Sequence, residues 1–313
     1  MKTLGLQSYQ EVRSWMYRNA RQIELTLWQY FFENRSKEAV LSALSFYQNE
    51  DGGFGNSLEA DSWNPNSSPY TTLYAINILK CIDFNDINHS IMQGIFKFLE
   101  SGKYFSENIW LFSIPSNNDY AHAPWWTYNS EANEVESIGV TAEIASFIMR
   151  FYDSNSDFYK KAMLVSQNII DKLKTQSNYG EMGVGGYIVL LETIQQLGIQ
   201  GKFDYEFLLH TVKILVSNSI ERNTSKWVYC GVRPSNYITV PGSIFYKNNE
   251  DIVQKELDYL IETRVKNNVW DITWSWFENN EKYAKEFAIS ENWWKAYKAI
   301  EKIIFLKNFE RLD

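Results

Sequence analysis

Glu59 and Asp61 stand one residue apart in the run Leu58-Glu-Ala-Asp, just ahead of a segment that restarts as helix. A carboxyl held there in an apolar wall keeps its proton and can act as a general acid on an alkene or a leaving oxygen. The same two residues are equally suited to capping backbone N–H groups, or to pairing with Arg21 or a lysine of the turn. Asp119 and His122 form a second set, in Asp-Tyr-Ala-His-Ala-Pro-Trp-Trp, where an aspartate beside one of only 3 histidines can make an oriented acid or base. Trp125 and Trp126 crowd the same loop with Tyr128, and with Pro124 they can instead form a plug. Glu143, in Thr-Ala-Glu-Ile-Ala-Ser-Phe, is a lone carboxyl on an otherwise apolar helical face, and it can equally face a polar seam. Towards the end of the chain Trp270, Asp271, Trp274, Trp276, Trp293 and Trp294 offer an aromatic box. Ring faces stabilise cations and stack on sugars, although aromatic residues at helical spacing also make plain core.

The elements that must position these residues read as helices. In Glu11–Phe32 apolar residues recur three and four apart at Val12, Trp15, Met16, Ile23, Leu27, Tyr30 and Phe31. A second unit starts at Ser36, a plausible N-cap, and is stopped by Asn49-Glu-Asp-Gly-Gly. Ser68 caps the next helix with Pro69 at its first position, where the missing N–H costs nothing. The alternation of helix, loop and helix recurs about five times without a Pro- or Ser-rich linker. That pattern predicts an all-α chain built of five to six helical hairpins in one domain over residues 1–313.

The turn Tyr47-Gln-Asn-Glu-Asp-Gly-Gly-Phe-Gly resembles the Gln-Asx-Asp-Gly-Gly-Phe/Trp repeat of terpenoid cyclases and of the β subunits of protein prenyltransferases. Asn267-Asn-Val-Trp-Asp-Ile-Thr-Trp-Ser-Trp resembles a second copy without the glycine pair. In order, Ala20–Glu33, Gln48–Pro69, Ala121–Trp126, Thr141–Arg150 and Val269–Trp294 resemble an uncharacterised group of bacterial proteins with this repeat. The resemblance implies an α/α toroid in which every inner helix points its N-terminus to one end, with Glu59, Asp61, Asp119 and His122 at the mouth. Aligned N-termini favour an anion such as a diphosphate. It also implies an isoprenoid or other apolar ligand in the cavity, cyclised by an acid-initiated route or transferred as a prenyl group. Trp125, Trp126, Glu143, Trp270, Asp271, Trp274, Trp276 and Trp293 would contact that ligand. The Asp-x-Asp-Asp run of protonation-initiated cyclases and the Asp-Asp-x-x-Asp of magnesium-dependent synthases are both missing from the sequence. Two further readings therefore stand beside the first: a non-catalytic binder or degenerate enzyme, and a carbohydrate-active toroid in which carboxylates such as Asp61 and Asp271 flank a sugar.

Composition narrows the partners. The 313 residues carry a net charge of -8, with Lys and Arg scattered rather than striped, which disfavours nucleic acid and anionic membrane as partners. No apolar run is long enough to span a bilayer, and Met1–Trp15 lacks the apolar core of a signal peptide, so a cytoplasmic location is expected. Cys81 and Cys230 have no metal-ligand spacing and read as buried thiols, and Cys230 has no histidine spaced to complete a zinc site. No cofactor is expected, with magnesium entering only if a diphosphate is bound.

Overall fold

The computed structural model describes residues 2–229 and 231–313. Helix accounts for 61% of the chain. Twelve α-helices are numbered in chain order, beginning with α1 Leu6–Asn19, α2 Gln22–Phe32, α3 Lys37–Ser45 and α4 Pro69–Cys81. Next come α5 Ser90–Glu100, α6 Ser130–Phe151, α7 Asp157–Thr175 and α8 Gly183–Gln196. The last four are α9 Tyr205–Ser219, α10 Glu250–Thr263, α11 Asn279–Lys282 and α12 Ala284–Asn308. Among the described residues the one sheet pairs β1, Phe105–Ser106, antiparallel with β2, Ile109–Trp110. The protein is therefore all-α. No helix among the described residues is long and apolar enough to cross a membrane.

Contacts divide the chain into two compact units. The first comprises residues up to Leu44 together with Val216–Asp313, and the second Ser45–Leu215. In the first, Val12 and Met16 of α1 and Ile23, Leu27 and Trp28 of α2 are buried, and α12 packs on both helices. The chain ends are tied together there: the Leu4 N–H donates to the Arg311 carbonyl at 2.8 Å, and Arg311 also donates to Asp258 at 2.8 Å.

In the second unit the start of α4 follows the expected chemistry. The Ser68 hydroxyl accepts the Thr71 N–H at 3.0 Å, and Pro69 opens the helix. Such a cap contributes about 1 kcal/mol. The turn before it is held by its own side chains. Asp51 accepts from the Gly53 N–H at 3.1 Å and from the Ser67 hydroxyl at 2.5 Å, while Asn49 donates to the Pro65 carbonyl at 2.9 Å. Gly52 adopts φ +89°, in the left-handed region that a glycine enters without strain. Gly53 does not, and its reason is space: a Cβ would overlap Phe98 and Ser67.

Helix α6 packs against both α4 and α8. Gly139 of α6 meets Met182 and Gly186 at the start of α8 with no room for a Cβ on either glycine. All three helices, from Leu73, Glu143 and Val189 onward, line one cleft. Cys81, expected to be buried, is exposed, because it ends α4 where the chain turns out toward α5. Cys230 lies outside the described residues.

Candidate functional site

Two loops that the sequence singled out separately are joined in the second unit. Ser62 bridges His122, the Trp63 N–H donates to the Ala121 carbonyl at 2.9 Å, and the Ala123 N–H donates to the Asp61 carbonyl at 2.9 Å. Asn64 extends the seam with bonds to Ser116 at 2.9 Å and Asn117 at 2.8 Å, and Asn117 donates to the Trp126 carbonyl at 3.0 Å. Glu59 and Asp61 are both 2% exposed, so this seam encloses two carboxyl groups. The Asp61 N–H donates to Glu59 Oε2 at 3.0 Å, which fixes one carboxyl over the backbone of the other.

Tyr70, in the first turn of α4, feels the charge of both carboxyls. Its ring stands edge-on to Trp126, with centroids 4.4 Å apart, and to Phe112 at 5.4 Å. Phe112 and Trp126 stack on each other at 4.5 Å. A polar stripe on α6 holds Phe112 in place. Thr141, Ser137 and Asn133, four residues apart, accept the N–H groups of Trp110, Phe112 and Ser113 at 2.9, 2.8 and 2.9 Å. Burial, and then the charges of Glu59, Glu143 and Asp61, push the Tyr70 phenol well above its ordinary value. The phenol thus remains a hydrogen-bond donor throughout the physiological range.

Two turns along the same face of α4, Asn77 donates to Glu143 Oε2 at 3.0 Å. Burial raises the Glu143 pKa, opposed by the Asn77 hydrogen bond and the charge of Lys80. The carboxyl is hydrogen-bonded to a neutral amide rather than to a cation, and burial outweighs the lowering that this bond brings. Asn77 and Glu143 also line a cleft between α4, α6 and α8 that is partly open to solvent. Its lining is as much polar as apolar, and Lys80 and Arg150 there are both exposed.

The other expected residues fall as follows. Asp119 is exposed at the end of the 3-10 turn Pro115–Asp119, whereas the His122 ring nitrogens face the Tyr120 carbonyl at 2.7 Å and the Thr127 hydroxyl at 3.0 Å. Asp119 and His122 are therefore not joined as an acid–base pair. Trp126 is buried and part of the aromatic wall, while its neighbour Trp125 is 37% exposed.

In the first unit, Trp270 is buried and donates to the Leu260 carbonyl at 2.8 Å. Trp276 is also buried, against Tyr283 and Phe287. Both belong to core packing. Trp274 stands edge-on to Trp294 at 5.4 Å. Trp293 lies under the Arg21 guanidinium at 4.4 Å, and Asp271 is exposed in an ion pair with Lys295 at 3.0 Å. Among the described residues no group of three His, Cys, Asp or Glu is placed to hold a metal ion.

Tyr70, Asn77 and Phe112 were not anticipated as site residues. For Asn77 a signal was present, since it is a lone amide seven residues after Tyr70 in an otherwise apolar helix. Comparison with protein-family models, curated proteins and solved structures finds no match to the chain.

Proposed function

We propose that the chain is an α/α toroid with α4, α6 and α8 among its inner helices, and that it performs acid–base chemistry on a neutral, hydroxyl-bearing ligand. A saccharide is the class that fits best. The observation that carries this reading is the burial of Glu59 and Asp61 in a seam that also holds Trp126, against whose ring Tyr70 stands, with the charges of Glu59, Glu143 and Asp61 all acting on the Tyr70 phenol. Hydroxyl groups are recognised by carboxylate and amide acceptors and stack on aromatic rings, and Tyr70, Asn77, Phe112 and Trp126 supply those partners here.

The division of labour follows from environment. Glu143, whose pKa is raised by burial, is assigned the general acid. Glu59 or Asp61, buried in the seam between the two loops, is assigned the base or nucleophile. A glycoside-cleaving pair requires carboxyls roughly 5 to 9.5 Å apart with the scissile bond between them.

A second reading is supported by the wall of Tyr70, Phe112 and Trp126. Aromatic faces beside buried carboxyls also suit acid-initiated reaction of a neutral isoprenoid, the chemistry implied by the Gln-Asn-Glu-Asp-Gly-Gly-Phe turn. A prenyl diphosphate fits less well, since the buried carboxyls of Glu59 and Asp61 repel an anion.

The test is a melting-temperature screen of the purified protein against neutral oligosaccharides, neutral isoprenoids and prenyl diphosphates, repeated with Glu143→Gln. A ligand bound only by the folded state raises the melting temperature. Stabilisation by one oligosaccharide family, with turnover lost in Glu143→Gln, is the expected result. Stabilisation by isoprenoids alone overturns the saccharide assignment.

A further inference from the structure

Five lysines punctuate α12, at positions 285, 295, 298, 302 and 307, and Lys295, Lys298 and Lys302 differ in what they meet. Lys295 bridges Glu291 at 2.8 Å and Asp271 at 3.0 Å, and Lys298 bridges Glu301 at 2.8 Å. Lys302, one turn after Lys298, makes neither a hydrogen bond nor an ion pair among the described residues. It is half-buried, with its ammonium 5.4 Å from the centre of the Trp270 ring. The charged groups around it are otherwise engaged. Arg233 donates to the Trp227 carbonyl at 2.6 Å and lies over the Tyr259 ring. Glu256, only 1% exposed, accepts from the Ser235 N–H at 2.8 Å and hydroxyl at 2.6 Å.

An amine that is desolvated, lies beside other cations and has no carboxylate bonded to it is what carbonyl chemistry requires, because the neutral form is the nucleophile. We propose that Lys302 is a carbonyl-reactive amine that forms an imine with a small aldehyde or ketone bearing a negative charge, a 2-oxo acid being the class that fits. Arg233 and Lys298 attract the negative group, and the Trp270 ring covers one side of the amine. The amine nitrogen adds to the carbonyl carbon, and the displaced π pair takes a proton on oxygen. Loss of that oxygen as water forms the C=N bond, with no change in oxidation state. Burial, then Arg233 and Lys298, bring the ammonium down to about 7, opposed by Glu301 and Glu256. A large share of the amine is therefore free at neutral pH. This assignment concerns the first unit and is independent of the acid–base reading of the second.

The experiment is reductive labelling of the intact protein with glyoxylate and cyanoborohydride, followed by peptide mapping of carboxymethyl-lysine against pH. Lys160, exposed and paired with Asp157 at 3.3 Å, is the internal reference. At pH 7 Lys302 is expected to react at least about tenfold faster than Lys160, with its half-maximal rate near neutral pH rather than near the ordinary lysine value of about 10.4. Equal rates at the two lysines, or a midpoint for Lys302 in the ordinary range, overturn the proposal. Lys302→Met removes the fast phase and leaves labelling of Lys160 unchanged if the assignment holds. Persistence of that phase in a folded variant overturns it. The wild-type map decides the matter even if the variant fails to fold.

Discussion

Glu24 and Glu143 are both glutamates on helices, and their surroundings treat them in opposite ways. Glu24, 1% exposed on α2, is gripped by Arg21 three residues earlier, with guanidinium nitrogens at 2.6 to 3.0 Å, and Trp293 covers the guanidinium. Glu143 on α6 meets the neutral amide of Asn77, and its pKa is raised. A buried carboxylate with a bidentate cation serves architecture, because its charge is already compensated. A carboxyl held by an amide, with its pKa raised by burial, keeps its proton to a higher pH than an ordinary glutamate. Pairing distinguishes the structural acid from the one suited to chemistry, and burial alone does not.

The comparison is broken most directly by Arg21→Ala. It leaves Glu24 buried with this ion-pair partner removed and is expected to cost about 3–5 kcal/mol of unfolding free energy by urea titration. A loss below about 1 kcal/mol would mean that the pair contributes like a surface bridge. Glu143→Gln should behave differently, with little change in stability at acidic pH and loss of turnover on the ligand found by the melting screen. Its pH dependence has a definite sign. The folded pKa of Glu143 lies above the unfolded one, so the native state binds more protons between them. Wild-type stability is therefore full below the ordinary carboxylate range and declines as pH rises through the folded value. Glu143→Gln removes that decline, and unfolding curves across pH check it. Asn77→Ala, worth about 1 kcal/mol as a lost hydrogen bond, should push the Glu143 titration still higher, because that bond favours the ionised form. Carbon-detected NMR of the glutamate carboxyls reads the shift.

Much of this was legible in the sequence wherever side chains carry the instruction. Ser68-Pro69 marks the start of α4, and Gly52 marks the left-handed turn before it. Glu143 stood out as a carboxyl on an apolar face. The joining of the two loops was not legible, because Trp63 to Ala121 and Ala123 to Asp61 are backbone bonds that any residue type can make. Tyr70 escaped notice for a related reason: an aromatic residue at a helix start reads as core until the carboxyls that act on it are placed. The rule of Asn133, Ser137 and Thr141, which positions Phe112, was visible as a four-residue spacing, but its partner strand was not. Lys302 looked like its neighbours on α12, since only the structure shows which lysines have found a carboxylate.

The smallest expected effect sharpens the Glu24 side of the comparison. Trp293 lies 4.4 Å from the Arg21 guanidinium carbon, and cations bind the indole face more strongly than a phenyl face. Trp293→Phe keeps an aromatic surface there and weakens only that attraction, so the loss should be about 0.5–1 kcal/mol. Combining it with Arg21→Ala separates cover from packing. If Trp293 acts by holding the guanidinium on Glu24, the double variant costs little more than Arg21→Ala alone, because the partner of the ring is already gone. Additive losses would mean that the indole is a packing element in its own right. Glu24 would then owe its compensation to Arg21 without help from the ring.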